Sequence, residues 1–363
     1  MSQENLRNEF TGETSDYRKN DRLEMISSQR FSEVRPLKAP RWADSGHTQT
    51  IFGHLIPSPT VNSQSLEELT IPLKDGDFLK AYYKPGRSHW IVSVFPGLGG
   101  DITADYMQRT ALLCEKLGHG FVIANLRGAH TGIELAKNPY HSGCSQDISD
   151  LIDFMKIKAP GHTHITIGVS MSGTILLNLM TGRMGSTQPE GAITINGPLD
   201  LMDGSLRLKN GLNRLYDFRF VRRLNKDLEK KFSLGLLPQK YQIPISATIY
   251  DFDGIFTGPM SGYGSREAYY STCSPKSYMK QVKNPLIMLH AADDPFVHVN
   301  HYLDIIQKGL PSNVEVHIEN RGGHLGYLAG ELTELGTYRW LDYFLLKAFL
   351  RLEGKFKPSP SRP

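Results

Sequence analysis

Cysteine is scarce in this chain of 363 residues, and the three that it has exclude a disulfide framework. Cys114, Cys144 and Cys273 are odd in number, far apart and without a paired metal-binding spacing, so we expect a reducing compartment. Long apolar runs are missing too, since no stretch approaches the ~20 residues that cross a bilayer. The polar N-terminus of mixed charge has the features of neither a signal peptide nor a transit peptide. A cytoplasmic location is therefore expected.

A strong excess of one charge is also lacking, because the chain has 41 Lys and Arg residues and 37 Asp and Glu residues, which give a formal net charge of +4. So small an excess argues against nucleic acid as the main partner, although it allows a local basic face. Apolar residues make up 39% of the chain, which is ordinary for a globular protein that buries a core. The length suits one large domain with insertions or two average domains.

Short apolar segments alternate with helix-like segments over most of the chain. Two predicted strands, 68–73 and 78–83, are joined at Asp75-Gly76-Asp77, which is a hairpin signal. Several of the later strands are apolar nearly throughout, as strands covered on both faces should be. These later strands are 90–95, 121–126, 164–169, 192–196, 286–289 and 314–318. The pattern predicts an α/β fold with a mostly parallel sheet and helices on both faces.

The chain divides into five predicted segments. Residues 1–38 are expected to be a poorly ordered N-terminal arm, too polar to repay their ordering entropy, and 354–363 a C-terminal tail. The core is predicted to comprise 39–198 and 281–353. An insertion at 199–280 follows the sixth strand and shows no clear β-α unit. It is either a cap over an active site or a solvated helical surface, and both interpretations stay open.

The strongest local motif surrounds Ser170. A predicted strand runs into Gly168-Val169-Ser170-Met171-Ser172-Gly173 and then into a helix, the context of a nucleophile elbow. The sharp turn requires small residues two before and two after the nucleophile. Gly168 meets this requirement well and Ser172 less well. Taking Ser172 as the nucleophile instead would place Ser170 and Thr174 at the flanks, which is a worse fit.

Two further residues complete a candidate catalytic triad. His324 follows the predicted last strand in a glycine-rich loop and is the best placed of 13 histidines to act as the base. Asp294 follows the strand 286–289 and is preferred to Asp293 as the acid that orients His324. The chain order Ser, Asp, His is that of the α/β-hydrolases. His162 and His164 have no third ligand nearby in sequence, so we predict no metal site.

A glycine-rich loop after the strand 90–95 supplies a candidate oxyanion hole. In Pro96-Gly97-Leu98-Gly99-Gly100, the backbone N–H of Leu98, together with that of Met171, could bind the developing oxyanion. The alternative, a phosphate-binding loop, is disfavoured because the Lys-Ser/Thr ending of a P-loop is lacking.

These segments together resemble the YheT-like branch of the α/β-hydrolase (serine hydrolase) superfamily, over roughly residues 39–350. The shared segments are 40–42, 47–52, 96–100, 125–128, 140–143, 168–173, 251–253, 269–270, 293–296 and 322–326. The resemblance implies an α/β-hydrolase fold, Ser170, Asp294 and His324 as triad, and cleavage of carboxylic esters, often of acyl lipids. Two residues depart from the pattern: Pro96 stands where relatives usually have histidine, and Ser172 replaces the usual glycine.

The expected function is therefore a serine hydrolase that acts on a small-molecule ester through an acyl-enzyme, with no metal or organic cofactor. Two alternatives stay open: an acyltransferase that uses the same triad, and a non-catalytic scaffold on a hydrolase fold. Within the insertion, residues 207–231 are basic with interleaved apolar residues. This segment could make peripheral contact with an anionic membrane.

Overall fold

The computed structural model describes residues 19–356, and eight strands form one sheet. The strands are β1 (Glu67–Pro72), β2 (Phe78–Lys84), β3 (Trp90–Phe95), β4 (Gly120–Ala124), β5 (Thr163–Val169), β6 (Gly191–Ile195), β7 (Leu286–Ala291) and β8 (Val314–Glu319). Their order across the sheet is β1-β2-β4-β3-β5-β6-β7-β8. β2 pairs antiparallel with both β1 and β4. The six strands β3 to β8 all run parallel to one another.

Helices connect most of these strands. They are α1 (Lys19–Ser28), α2 (Gly46–Leu55), α3 (Asp105–Leu117), α4 (Ser145–Lys158), α5 (Met171–Met180), α6 (Leu201–Leu208), α7 (Asn213–Ser233), α8 (Ile249–Phe252), α9 (Gly258–Met260), α10 (Arg266–Cys273), α11 (Val299–Gln307) and α12 (Trp340–Phe356). A π-helical turn, Asp253–Thr257, joins α8 to α9. Short 3₁₀ turns lie at Arg41–Ala43, Ser63–Ser65, His130–Leu135 and Lys276–Gln281. No helix in residues 19–356 is long and apolar enough to cross a membrane.

The central strands are buried on both faces, because their residues alternate between two layers of helices. Along β3, Ile91 and Phe95 pack with α4, α5 and α11, whereas Val92 and Val94 pack with α3 and α12. Every residue of β3 to β7 except Thr163 is buried. This arrangement explains the uninterrupted apolar runs of the sequence and confirms the predicted α/β-hydrolase fold.

The structure corrects the predicted N-terminal arm over residues 19–38. These residues form α1 and a segment that packs along the edge strand β8, where the backbone N–H of Phe31 donates to His317. Widely spaced apolar side chains hold the segment against the core, because those of Ile26, Phe31, Val34 and Leu37 are buried. A sparse apolar pattern without periodicity is enough when it covers a sheet edge. Residues 1–18 and 357–363, which contain the rest of the arm and most of the predicted tail, lie outside the described residues.

The insertion after β6 is helical and covers the carboxyl ends of the parallel strands. It contains α6 to α10, and α6 begins where Asp200 accepts a hydrogen bond from the backbone N–H of Asp203. On α7, Val221, Leu224 and Leu228 are buried, whereas the outward face is strongly basic. The insertion is therefore packed on the core through one face and solvated on the other.

Candidate active site

Ser170 occupies the sharp turn between β5 and α5. Its φ of 53° and ψ of −119° are an unusual backbone conformation for a residue with a side chain. The turn brings strand and helix so close that a Cβ at Gly168 would lie 2.4 Å from the carbonyl oxygen of Ser172. Only glycine fits there, as the elbow motif predicts. The turn presents the Ser170 hydroxyl above the end of the sheet.

The structure brings together the three side chains expected of a triad. The Oγ of Ser170 lies 2.8 Å from Nε2 of His324, and Nδ1 of His324 lies 2.8 Å from Oδ2 of Asp294. The Asp294 side chain is fully buried, and that of His324 is 9% exposed. Because a carboxylate only accepts hydrogen bonds, Nδ1 of His324 carries the hydrogen, which leaves Nε2 free to accept from Ser170.

The two neighbouring aspartates have different environments. Asp294 accepts hydrogen bonds from the backbone N–H groups of Phe296 and Val297 as well as from His324. Burial alone would raise the pKa of Asp294, but His324, together with His290 and the hydrogen bond from Asn196, lowers it below its ordinary value. Asp293 accepts from the backbone N–H of Gly323, and burial raises its pKa to about 6. Asp293 therefore holds the loop before His324 and does not contact the imidazole ring itself.

Several residues that hold the loop of His324 have roles that the sequence did not reveal. Thr50 on α2 accepts a hydrogen bond from the backbone N–H of His324, at 2.8 Å. Gln49 is fully buried and hydrogen bonds to the backbone of Leu328 through both ends of its amide. Asn196, just after β6, donates to Asp294 and to the carbonyl of Gly323. The shared segment 47–52 pointed to this region, but no pattern in it indicated these partners.

The two residues that depart from the family pattern contact each other. The hydroxyl of Ser172, which is fully buried, donates a hydrogen bond to the carbonyl of Pro96. Ser172 thus points away from His324 and towards the glycine-rich loop, which fits Ser170 as the nucleophile. Leu98 and Met171, the predicted oxyanion donors, both line the cavity that contains Ser170. The backbone N–H of Gly97, by contrast, donates to the hydroxyl of Tyr106.

A cavity of about 530 Å³ lies over Ser170 between the sheet and the insertion. One side of it is apolar, and the side chains that form this side are Leu201, Leu208, Phe220, Leu224, Leu228, Phe252, Phe256, Phe296 and Val297. Arg223, Asp227 and Lys231, one helical turn apart along α7, also line the cavity, and Arg223 lies beside Gly99 of the glycine-rich loop. The cavity therefore has an apolar side with room for a hydrocarbon chain and a charged side next to the glycine-rich loop.

Two carboxylates of the shared segment 251–253 fix the structure of the insertion. Asp251 caps α8, because its side chain accepts from the backbone N–H and the hydroxyl of Thr248. Asp253 accepts from the hydroxyl of Tyr270, and burial raises the pKa of Asp253 to about 6. Both contacts fit the expectation that these carboxylates are structural.

Residues 91–331 match the family model described as alpha/beta hydrolase fold. This match covers the sheet from β3 to β8 together with the site, and the chain belongs to the α/β-hydrolase fold family. Among individual proteins, it is 26% identical to the YheT protein of Escherichia coli over 324 residues, which are 86% of this chain and 92% of YheT. The predicted resemblance to the YheT-like branch is thereby confirmed.

Other relatives carry names of lipid-directed enzymes. The chain is 29% identical to phospholipase ABHD3 of Mus musculus, over 71% of this chain and 63% of that protein. It is 28% identical to the monoacylglycerol lipase of Saccharomyces cerevisiae, over 52% of this chain and 43% of that protein. The predicted enzyme class, a carboxylic ester hydrolase, agrees with these names.

Solved structures show the same fold at low sequence identity. The Pyrococcus furiosus esterase Pf2001 superposes with a TM-score of 0.51 at 15% identity, covering 82% of this chain and 96% of that one. The Pyrococcus horikoshii acylaminoacyl peptidase superposes with a TM-score of 0.53 at 17% identity, covering 86% of this chain and 44% of that one. These likenesses concern the fold alone.

Proposed function

We propose that this protein is a serine hydrolase that cleaves carboxylic esters with an acyl-lipid character. The observation that carries the proposal is the continuous line from Ser170 through His324 to Asp294, with 2.8 Å at each step. Such a line activates a hydroxyl group that would otherwise be a poor nucleophile.

In the first half-reaction, the Oγ of Ser170 attacks the ester carbonyl while Nε2 of His324 takes its proton. The buried Asp294 carboxylate stabilises the imidazolium that forms and keeps its ring oriented. The N–H groups of Leu98 and Met171 bind the oxyanion, and one such donor is typically worth about 3 kcal/mol. His324 then protonates the leaving alcohol, and an acyl-Ser170 intermediate remains. In the second half-reaction, His324 takes a proton from a water molecule, whose oxygen attacks the acyl carbonyl. The bond from that carbon to Oγ of Ser170 then breaks, His324 returns the proton to Oγ, and the acid is released.

The lining of the cavity supports this substrate class. Its apolar side suits an acyl chain, because burying each CH₂ group contributes about 0.8 kcal/mol to binding. The names of the relatives, phospholipase and monoacylglycerol lipase, support the same class. The segment 199–280 acts as a cap in this proposal, since Leu208, Phe220 and Leu224 from its helices line the cavity beside Ser170.

A fluorophosphonate probe, which reacts with activated serines, tests the proposal in wild type and Ser170→Ala. We expect labelling of the wild type alone, together with hydrolysis of p-nitrophenyl esters that improves from acetate to longer acyl chains. Thr181→Ala, which removes a buried hydroxyl elsewhere, is the matched control and should label normally. Absence of labelling in folded wild type would favour a scaffold. Transfer of the acyl group to an added alcohol faster than to water would favour an acyltransferase.

We also propose peripheral contact of residues 207–231 with an anionic membrane. On α7, the exposed bases Arg214, Arg219, Arg222, Lys226 and Lys230 outnumber the one exposed acid, Glu229. The apolar residues Leu212, Leu215 and Phe218 are exposed on the same helix or at its start. On α2, Ile51 and Leu55 are also exposed, and both line the cavity over Ser170. Exposed apolar residues flanked by bases are typical of a surface that lies in a lipid interface.

Charge reversal tests this contact, and the structure guides the choice of positions. Arg223 is unsuitable because it turns inwards towards Asp101 and Asp227. Reversal of Arg219, Arg222 and Lys226 to glutamate should abolish sedimentation with phosphatidylserine vesicles. The control is the same reversal at Lys280, Lys283 and Lys308, which are exposed and do not line the cavity. Unchanged sedimentation of the first variant would disprove the contact.

A further inference from the structure

A buried amide side chain contacts both the acid of the proposed triad and the loop that carries the base. Asn196 follows β6, which lies between the strand that leads to Ser170 and the strand that leads to Asp294. It is fully buried, and its φ of 50° is in the left-handed region, which asparagine adopts more readily than most residues. Its backbone N–H donates to the carbonyl of Leu289 on β7. The side chain is thus held at the carboxyl ends of the strands.

Each polar atom of the Asn196 side chain contacts part of the site. Its Nδ2 donates to Oδ2 of Asp294, the same oxygen that accepts from His324, and to the carbonyl of Gly323 at 3.0 Å. Its Oδ1 accepts from the hydroxyl of Tyr327. One amide therefore joins the loop of the acid to the loop of the base.

These partners also fix which way the amide points. The carboxylate of Asp294 and the carbonyl of Gly323 are both acceptors, so they need the NH₂ group. With the NH₂ group directed at them, the carbonyl of Asn196 faces Tyr327, which has a proton to donate. A flipped amide would place an oxygen against two acceptors and leave the hydroxyl of Tyr327 facing two N–H donors.

We propose that Asn196 and Tyr327 form a positioning pair for the reaction, acting on the substrate only through Asp294 and His324. This inference rests on the proposed hydrolase function. The loop of His324 needs such support, because Leu325 and Tyr327 have φ values of 72° and 43°, which are costly for residues with side chains. Asn196 also stabilises the negative charge of Asp294, and its hydrogen bond contributes to the lowered pKa of that carboxyl.

The cleanest test is Tyr327→Phe, which removes one hydroxyl and keeps the packing of the ring. Without that donor the buried Oδ1 of Asn196 is left unpaired, one of the three hydrogen bonds that hold the amide is lost, and the geometry of Asp294 and His324 loosens. We expect kcat for a p-nitrophenyl ester to fall about 10-fold with KM unchanged, as is typical when a residue that orients a reacting group is lost. Tyr343→Phe is the matched control, because Tyr343 is also buried and its hydroxyl accepts from the backbone of Arg35. It should keep kcat within about 2-fold.

A second variant gives a signature that a purely structural role would not produce. Asn196→Asp keeps the size and the acceptor for Tyr327 but places a carboxyl group beside the Asp294 carboxylate. Two such groups share a proton, so the introduced carboxyl donates to Asp294 only while it is protonated. We expect the ratio of the variant's kcat to that of wild type to fall as pH rises from about 5.5 to 8. Circular dichroism at each pH confirms that the variant stays folded.

The outcomes separate this proposal from the proposed function. A drop in kcat for Tyr327→Phe alone, with the pH trend in Asn196→Asp, supports the positioning pair. A kcat of Tyr327→Phe within 2-fold of wild type, a change confined to KM, or a flat ratio for folded Asn196→Asp overturns it. Ser170→Ala is measured in parallel. Loss of activity there, with no effect at Tyr327, refutes the positioning pair alone, and retained activity refutes the hydrolase proposal itself.

Discussion

The hydrogen bond from Ser172 to Pro96 allows a prediction of some precision. Ser172→Ala removes only the hydroxyl, at a fully buried position between the nucleophile elbow and the glycine-rich loop. Loss of a buried hydrogen bond that leaves its acceptor unpaired costs about 1–3 kcal/mol. We therefore expect the free energy of unfolding to fall by that amount in urea denaturation.

The same substitution should affect catalysis, because Pro96 begins the loop that carries the N–H of Leu98. Complete loss of an oxyanion donor lowers kcat by about 10²- to 10³-fold, and a donor that is only displaced should cost less, about 10-fold. Steady-state kinetics with a p-nitrophenyl ester measure the change, which we expect in kcat with KM little altered.

Ser145→Ala is the matched control for this prediction. The hydroxyl of Ser145 is likewise fully buried and donates to a backbone carbonyl, that of Ile175, at 2.7 Å. It should lower stability by a similar amount and leave kcat unchanged. The reasoning is refuted if Ser172→Ala is as active and as stable as wild type, or if both variants lose the same activity.

Three further substitutions test the surroundings of the site. Asp294→Ala should lower kcat by about 10⁴-fold in the ester assay, because the imidazole loses the group that fixes its tautomer. Asp293→Asn should change the pH dependence of stability: the folded-state pKa of Asp293 is raised by burial to about 6, so wild type loses stability as pH rises from about 4 to 6. Between these two pH values, the free energy of unfolding of the variant should rise by on the order of 1 kcal/mol relative to that of wild type. Denaturation experiments measure it, and a difference between the two proteins that stays constant with pH would contradict this prediction. Gly326→Ala should destabilise the protein by about 1–3 kcal/mol, since its Cβ would lie 2.1 Å from the carbonyl oxygen of Gln49, whereas Gly354→Ala, where the Cβ meets open space, should not.

The sequence alone was sufficient to predict the strands of the sheet and to indicate candidate site residues that the structure brings together. Strands buried on both faces must be largely apolar, so the six later strands could be recognised from short apolar runs, and the first two from a hairpin signal. The elbow at Ser170 was recognisable because close approach of strand and helix demands small residues at fixed spacing. Asp294 and His324 followed from a general rule, that reacting groups gather at the carboxyl ends of parallel strands.

Only the tertiary structure determined the contacts between residues that are distant in sequence. Asn196 and Tyr327 are 131 residues apart, and Thr50 lies 274 residues before His324, so no local pattern links them. The packing of Phe31 on β8 escaped prediction for the same reason, because an apolar residue in a polar segment shows its role only once its partner surface exists. Helical periodicity likewise marked the bases of α7 without showing that Arg223 faces the cavity and Arg222 the solvent. Local chemistry dictates strands, turns and motifs, whereas the support of a site depends on which surfaces the folded chain brings into contact.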